Sequence, residues 1–211
     1  PRTKAEIVTD MHRTFEAAET VWLPELLNYY KLDEPLEPGD PLEHTAVDSA
    51  GLNPGTFLSS GKTRITSTVP VGTAVTDTQI EAVGTVAFAG ANLSLGYSAQ
   101  GGATVTAVKL TTVPNTFPAD CRPFAEQYWI VHRDCGDTDY WLPAGGTPYA
   151  ADFTFALAED LTADDALARN LIGLYRRNHA SDGEWDLIGT AAAVDAGNDT
   201  VTFEDVSFAP L

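Results

Sequence analysis

The chain has 211 residues and a formal net charge of −18, from 12 Lys and Arg against 30 Asp and Glu. A chain of this length buries roughly 70% of its unfolded surface, so it needs neither a metal nor a disulfide to hold a core. The acidic balance excludes the clustered basic surface that nucleic acid or an anionic membrane requires. No apolar run reaches the roughly 20 residues of a bilayer-spanning helix.

Residues 1–32 read as a helical arm. Ile7, Met11, Phe15, Ala18 and Trp22 recur at spacings of three or four and form one apolar stripe. Thr3 with Glu6 has the spacing of a capping box. Pro24 either kinks one helix or opens a second as its first residue. The stripe packs on its own domain or on another subunit; Ile7, Met11, Phe15 and Trp22 are the expected assembly contacts. "PRTKAEIVTD" has no apolar core of a secretory leader, and the chain is expected to be a processed product, a fragment or the ordered part of a longer protein.

Residues 33–62, "DEPLEPGDPLEHTAVDSAGLNPGTFLSSG" and its flank, are rich in Pro, Gly and acid and carry no period, which describes an extended connector. From residue 63 to 211 the period is two. Leu93, Leu95 and Tyr97 share a face; so do Phe153, Phe155 and Leu157, and Val201 with Phe203. Thr104, Thr106, Val108 and Leu110 oppose Val105, Ala107 and Lys109, and each strand is expected to bury one face. "AGAN", "AQGG", "SDGE" and "DAGND" mark turns, and "DLTADDALARN" has room for one helical turn. The expected class is mainly β: an antiparallel β-sandwich, Ig-like or jelly-roll-like, over residues 63–211, with the N-terminal helical arm.

Chemistry is sparse. There is no G-x-S-x-G elbow, no phosphate-binding glycine loop and no H-E-x-x-H. His12, His44, His132 and His179 share no motif. No catalytic residue, metal site or cofactor is expected. The loop acids Asp137, Asp139, Asp164 and Asp165 could in principle meet calcium, but no EF-hand pattern is present and solvated acids are the expected reading. Cys121 and Cys135 flank "CRPFAEQYWIVHRDC". An intrachain disulfide is expected and would contribute roughly 3 kcal/mol; two unpaired thiols or a metal pair with His132 are the alternatives. Tyr140, Trp141 and Tyr149 are either aromatics that stack on a sugar or fillers of a sheet edge. Arg176 and Arg177 point to opposite faces of "LIGLYRRNHA" and are expected to pair with carboxylates.

Several segments together resemble a known module. "ANLSLGYSAQGGATVTAVKLTTVPNTFP", "EQYWIVHRDCGDTDYW", "ADFTFALAEDLTADDALARNLIGLYRRN", "GEWDLIGT" and "NDTVTFEDVSF" are similar to a β-sandwich module of Bacteroidota surface and secreted proteins, often exported by the type IX route. The matching positions are Thr104–Val108, Pro114, Tyr128–Ile130, Phe153–Leu157, Leu161–Asp164, Leu174–Arg177, Trp185–Leu187 and Thr200–Phe208. The resemblance covers roughly residues 84–208. It implies an extracellular or cell-surface module for display, adhesion or assembly, with copies of itself or neighbouring domains as partners and no catalytic site. Residues 1–60 have no counterpart in the module, and residues 1–211 do not include the sorting domain such proteins often carry. The function expected is a non-catalytic structural or adhesive module that self-associates into a polymer or filament; the alternatives are a carbohydrate-binding module and, third, a hydrolase.

Overall fold

The computed structural model describes residues 45–46, 55–56, 73–99, 102–112, 114, 117–118, 121, 127–134, 150–157, 161–177 and 185–207. The expected helical arm, with Ile7, Met11, Phe15 and Trp22, lies outside the described residues. Two compact units are distinguished: residues 14–66, and residues 67–211 together with 1–13. In the smaller unit β1 (Thr45–Ala46) pairs antiparallel with β2 (Gly55–Thr56), inside the stretch whose composition marks a connector.

The larger unit is mainly β and antiparallel throughout. Its strands are β3 (Ala74–Ile80), β4 (Gly84–Phe88), β5 (Leu93–Tyr97), β6 (Thr104–Leu110), β7 (Tyr128–Asp134), β8 (Ala150–Ala156), β9 (Gly173–Arg176), β10 (Asp186–Thr190), β11 (Ala193–Asp195) and β12 (Thr200–Ser207). They form a five-stranded sheet in the order β11-β12-β8-β5-β4, a three-stranded sheet β3-β6-β7, and the pair β10-β9.

The period-two reading holds for the five-stranded sheet. Leu93, Leu95 and Tyr97 on β5, Phe153 and Phe155 on β8, and Val201 and Phe203 on β12 are all buried. Register sets them side by side: Leu93 faces Phe155, Leu95 faces Phe153, Phe203 faces Phe153 and Val201 faces Phe155. The opposite face is short and polar, with the Thr154 and Thr202 hydroxyls 3.0 Å apart. Val105 and Ala107 of β6 belong to the same core as these residues, so side chains of both larger sheets share one apolar cluster. Phe155 sits at its centre, 4.8 Å from Trp129 and 6.0 Å from each of Phe153 and Phe203 by ring centroids.

β6 departs from the expected single buried face. Val105 and Ala107 are buried on one side, and Thr106, Val108 and Leu110 on the other. The reason is its position between β3 and β7, paired along its whole length with both. Its sequence "TVTAVKL" has only small or β-branched residues at five of seven positions, which an inner strand tolerates on either face.

Two hairpin loops with one recipe flank β8. "AGAN" (residues 89–92) joins β4 to β5, and "AGND" (residues 196–199) joins β11 to β12. Each ends in a residue with a left-handed backbone, Asn92 at φ 51° and Asp199 at φ 51°. Asn and Asp tolerate that conformation better than other side chains. The Asn92 carbonyl accepts from Ala156 N–H at 2.9 Å, and the Asp199 carbonyl accepts from Leu157 N–H at 2.9 Å. The two loops thus tie down the end of β8 from both sides. Asp205, at φ 52°, marks a bulge in β12 where the register slips between Phe203 and Val206. Its N–H donates to Asp152 Oδ1 at 3.0 Å, which holds the bulge against β8.

The expected helical turn is present as α1 (Ala163–Leu167), followed by a 3₁₀ turn over Arg169–Leu171. Thr162 caps it. The Asp165 N–H donates to Thr162 Oγ1 at 3.3 Å, and the Thr162 N–H donates to Asp165 Oδ2 at 2.8 Å, a reciprocal box. The Thr162 hydroxyl also donates to Asp165 Oδ2 at 2.6 Å, and this bond first, then that from the Thr162 N–H, holds the Asp165 carboxyl below its ordinary pKa. A depressed folded-state pKa stabilises above the unfolded value, and that contribution is lost as pH falls through the folded one. Thr162→Ala should cost α1 about 1 kcal/mol. Faster amide exchange across residues 163–168 at neutral pH, with core exchange unchanged, is the expected result.

Candidate functional site

The residues singled out by sequence do not converge. Tyr140, Trp141, Tyr149 and Cys135 lie outside the described residues, as do Asp137 and Asp139. Cys121 is a free thiol whose Sγ donates to Tyr175 Oη at 3.1 Å, so the expected bridge to Cys135 finds no support. The expectation rested on spacing, and spacing carries no information about the Tyr175 hydroxyl 54 positions away. Asp164 and Asp165 sit in the first turn of α1. His132 lies on β7 opposite Thr106. Among the described residues, no group of three or more His, Cys, Asp or Glu side chains is placed to hold a metal ion.

The described acids instead build backbone. Asp77 Oδ2 accepts from Gly90 N–H at 3.3 Å, and Asp152 holds the β12 bulge. Asp195 Oδ1 accepts from Gly197 N–H at 2.9 Å and Asn198 N–H at 3.2 Å, the pattern of an Asx turn. Asp199 Oδ1 accepts from Leu161 N–H at 2.9 Å. Aromatics are used in the same way. Trp129 donates its ring N–H to the Ala91 carbonyl at 2.7 Å, and Trp185 lies beneath the Arg177 guanidinium, 4.3 Å from the ring centroid, and edge-on to Tyr128. Arg176 donates to the Ser207 carbonyl at 2.8 Å.

One charged pair is fully enclosed. Glu81 follows β3, and Arg133 lies near the end of β7; both are buried, as is Tyr97 at the end of β5. Arg133 Nε donates to Glu81 Oε1, and Arg133 Nη2 donates to Glu81 Oε2 at 2.8 Å. Ala103 N–H also donates to Glu81 Oε2 at 3.3 Å, while Glu81 N–H donates to the Ala103 carbonyl at 2.9 Å. Sequence offers no signal for this pair, because its members are 52 positions apart. Register makes the connection: Gln79, Val105 and Arg133 form one cross-strand row, and Glu81 lies two residues past Gln79.

Burial, and next the Glu81 carboxylate, push the Tyr97 phenol well above the ordinary tyrosine range; Arg133 offsets part of this. Among the described residues the Tyr97 hydroxyl has no hydrogen-bond partner. A raised folded-state pKa stabilises below the unfolded value near 10, and stability falls as pH rises beyond it. Tyr97→Phe should therefore be neutral or stabilising by up to about 1 kcal/mol at pH 7. Urea titrations in alkaline buffer should show that the variant loses less stability than the parent chain.

The exposed chemistry lies elsewhere. Leu167 and Leu171 are 82% and 81% exposed, and Leu187 on β10 is 54% exposed. On β9 and β10, Leu174 and Ile188 pack on the core, while Leu187 pairs with Tyr175. A Cβ placed on Gly173 would meet Leu187 Cδ1 at 2.8 Å and Tyr175 Cε2 at 2.8 Å, so these two side chains close over Gly173, two residues beyond Leu171. Leu167, Leu171 and Leu187 are thus outward apolar side chains of α1, the 3₁₀ turn and β10. Their sequence signal is two leucines four apart in "ADDALARNL", at the helical turn marked above. A shallow pocket of about 220 Å³ lies on the polar face of the five-stranded sheet, lined by small residues such as Ala87, Ser94, Thr154 and Thr200, with no charged group.

Comparison with protein-family models, with curated proteins and with solved structures finds no match.

Proposed function

We propose that this chain is a structural module of a cell-surface or extracellular assembly, working through protein contacts rather than catalysis. In this reading the two larger sheets close as a sandwich, and the N-terminal helical arm supplies a second contact through Ile7, Met11, Phe15 and Trp22. The observation that carries the reading is the exposure of Leu167, Leu171 and Leu187. Two leucines more than four-fifths exposed leave apolar area in water at roughly 25 cal/mol per Å², a cost that a covering protein surface removes. The use of Asp77, Asp152, Asp165, Asp195 and Asp199 in turns, bulge and cap supports a scaffold role. So does the resemblance of residues 84–208 to surface-protein modules.

The test is the mass of the full chain in solution. Concentration-dependent association, weakened by Ile7→Asp or Phe15→Asp with the fold intact by circular dichroism, is the expected result. A turnover found in a broad hydrolase and transferase screen, and abolished by a single Asp, Glu, Ser or His substitution, would overturn the non-catalytic reading.

A further inference from the structure

One loop takes contacts from all three strands of the three-stranded sheet. Residues 89–92 join β4 to β5. Gly90 N–H donates to Asp77 on β3, the Ala91 carbonyl accepts from Trp129 on β7, and Asn92 meets Lys109 on β6. With the Asn92 amide oriented so that both of its ends are satisfied, its nitrogen donates to the Ala89 carbonyl at 3.3 Å and its oxygen accepts from Lys109 Nζ at 2.9 Å. Both backbones are fixed. Lys109 is paired with Val75 on one side and Trp129 on the other. Asn92 holds its left-handed conformation, and its carbonyl accepts from Ala156 N–H at 2.9 Å. The two side chains are half-buried and flanked in sequence by the buried Ala91, Leu93 and Leu110. In a chain with 30 Asp and Glu, no acid among the described residues forms an ion pair with Lys109. A primary amine and a carboxamide therefore stand in contact, with the amine committed to no carboxylate.

We propose that Lys109 and Asn92 form an intramolecular isopeptide bond, Nζ to Cγ, which joins β6 covalently to the β4–β5 loop. This goes beyond the assembly reading and does not depend on it. Aminolysis of an amide is slow between free molecules. Holding the two groups in contact makes the step first-order, with effective molarities of roughly 10⁵–10⁸ M for well-oriented pairs. Asp77 supplies the proton relay. It pairs with Ala107, one row from Lys109, and residues two apart along a strand share a face, so the Asp77 and Lys109 side chains are diagonal neighbours on one face. Lys109 passes one ammonium proton to Asp77 through a water. The freed Nζ lone pair forms a bond to Asn92 Cγ, and the carbonyl electron pair moves to oxygen. When that pair returns, the Cγ–Nδ2 bond breaks. Nδ2 takes a second proton from Nζ and leaves as ammonia, which then collects the first proton from Asp77. The sum is one lysine ammonium and one carboxamide giving one amide and one ammonium ion, with no change of oxidation state. The bond ties the five-stranded sheet to the three-stranded sheet at this loop, so a pulling force there meets a covalent link.

The intact mass of the full chain, denatured and reduced, tests this. The expected mass is below the sequence mass by one ammonia. Lys109→Arg and Asn92→Gly should each show the full sequence mass of the variant. Glycine accepts the left-handed backbone of position 92, so the loop is kept. Trypsin gives a second readout. It cuts after a free lysine but not after an acylated one, and the Arg122–Pro123 bond resists it, so the linked chain should yield one peptide spanning residues 65–133. Asp77→Asn keeps an oxygen for the Gly90 N–H and removes the relay; in freshly made protein it should slow the ammonia loss about 100-fold. A parent chain at full sequence mass after prolonged incubation, with cleavage after Lys109, overturns the proposal. So does an ammonia loss that survives Lys109→Arg, because that marks a succinimide at another Asn. Ammonia loss at the parent rate in Asp77→Asn overturns the relay.

Discussion

Arg133→Ala should destabilise the larger unit by roughly 3–5 kcal/mol, the range for removing one partner of a buried ion pair. The reason is what remains. Glu81 would lose its charged partner in a site where both side chains are almost wholly enclosed. Its other contact is one N–H, from Ala103 at 3.3 Å. Glu81→Gln should cost less, because the amide oxygen still accepts from Arg133 and the hydrogen-bonded contact is kept. Replacing both partners by apolar residues, Glu81→Leu with Arg133→Met, should recover most of the loss, since a well-packed apolar pair avoids desolvating two ions. Urea denaturation of the two single variants and the double variant closes the cycle. A single-variant loss below about 1 kcal/mol for Arg133→Ala would mean that water reaches the pair, and the buried description of this end of the core would be wrong.

That pair also shows where sequence reading ends. Alternation alone identifies the buried faces of β5, β8 and the first half of β12, because apolar residues recur there at every second position with Ser, Gly, Asp or Thr between. The turn residues of "AGAN" and "DAGND" identify the two loops that bracket β8, because Asn92 and Asp199 take a backbone few other residues accept. Helical capacity in "DLTADDALARN" follows from the Thr162–Asp165 box. What stays hidden depends on register between distant segments. No local pattern says that β6 lies between β3 and β7, so its second buried face is invisible until the sheet order is known. Neither does anything in "IEAV" or "VHRD" announce that Glu81 and Arg133 meet. The bulge at Asp205 is a similar case: "TFEDV" breaks the alternation by one acid, and only pairing with β8 shows which residue is extra.

The same logic applies to the candidate site. Leu167 and Leu171 have the spacing of a core-facing helix stripe, and composition alone would bury them. Their exposure arises because α1 and the 3₁₀ turn bury none of their own residues; the core is approached instead by flanking positions, Leu161 before the helix and Ile172 after it. A short capped turn between two strand-like segments can therefore lift its leucines off the protein while its ends stay anchored.

Phe155→Ala should produce a loss of roughly 3–5 kcal/mol, the range for truncating a buried aromatic. Phe155 lies on the central strand of the five-stranded sheet, paired with Leu93 of β5 on one side and Val201 of β12 on the other. Its ring meets Trp129 at 61° and Phe203 at 73°, the edge-to-face arrangement that adds about 0.5–1.5 kcal/mol per pair beyond burial. Trp129 comes from the three-stranded sheet, so the Phe155 ring links the cores of both sheets. Truncation removes that link as well as the ring's own burial. Trp129 reports on this contact, because its indole N–H is fixed to the Ala91 carbonyl at 2.7 Å and its ring meets Phe155 edge-on, centroids 4.8 Å apart. In a background with Trp22, Trp141 and Trp185 replaced by Phe, Phe155→Ala should shift the Trp129 emission to longer wavelength at urea concentrations below the main unfolding transition. Phe155→Leu, which retains most of the volume, should cost less than half as much and leave the emission in place. Equal losses for the two substitutions, or an unmoved emission in Phe155→Ala, would show that the two sheets do not depend on this ring for their contact.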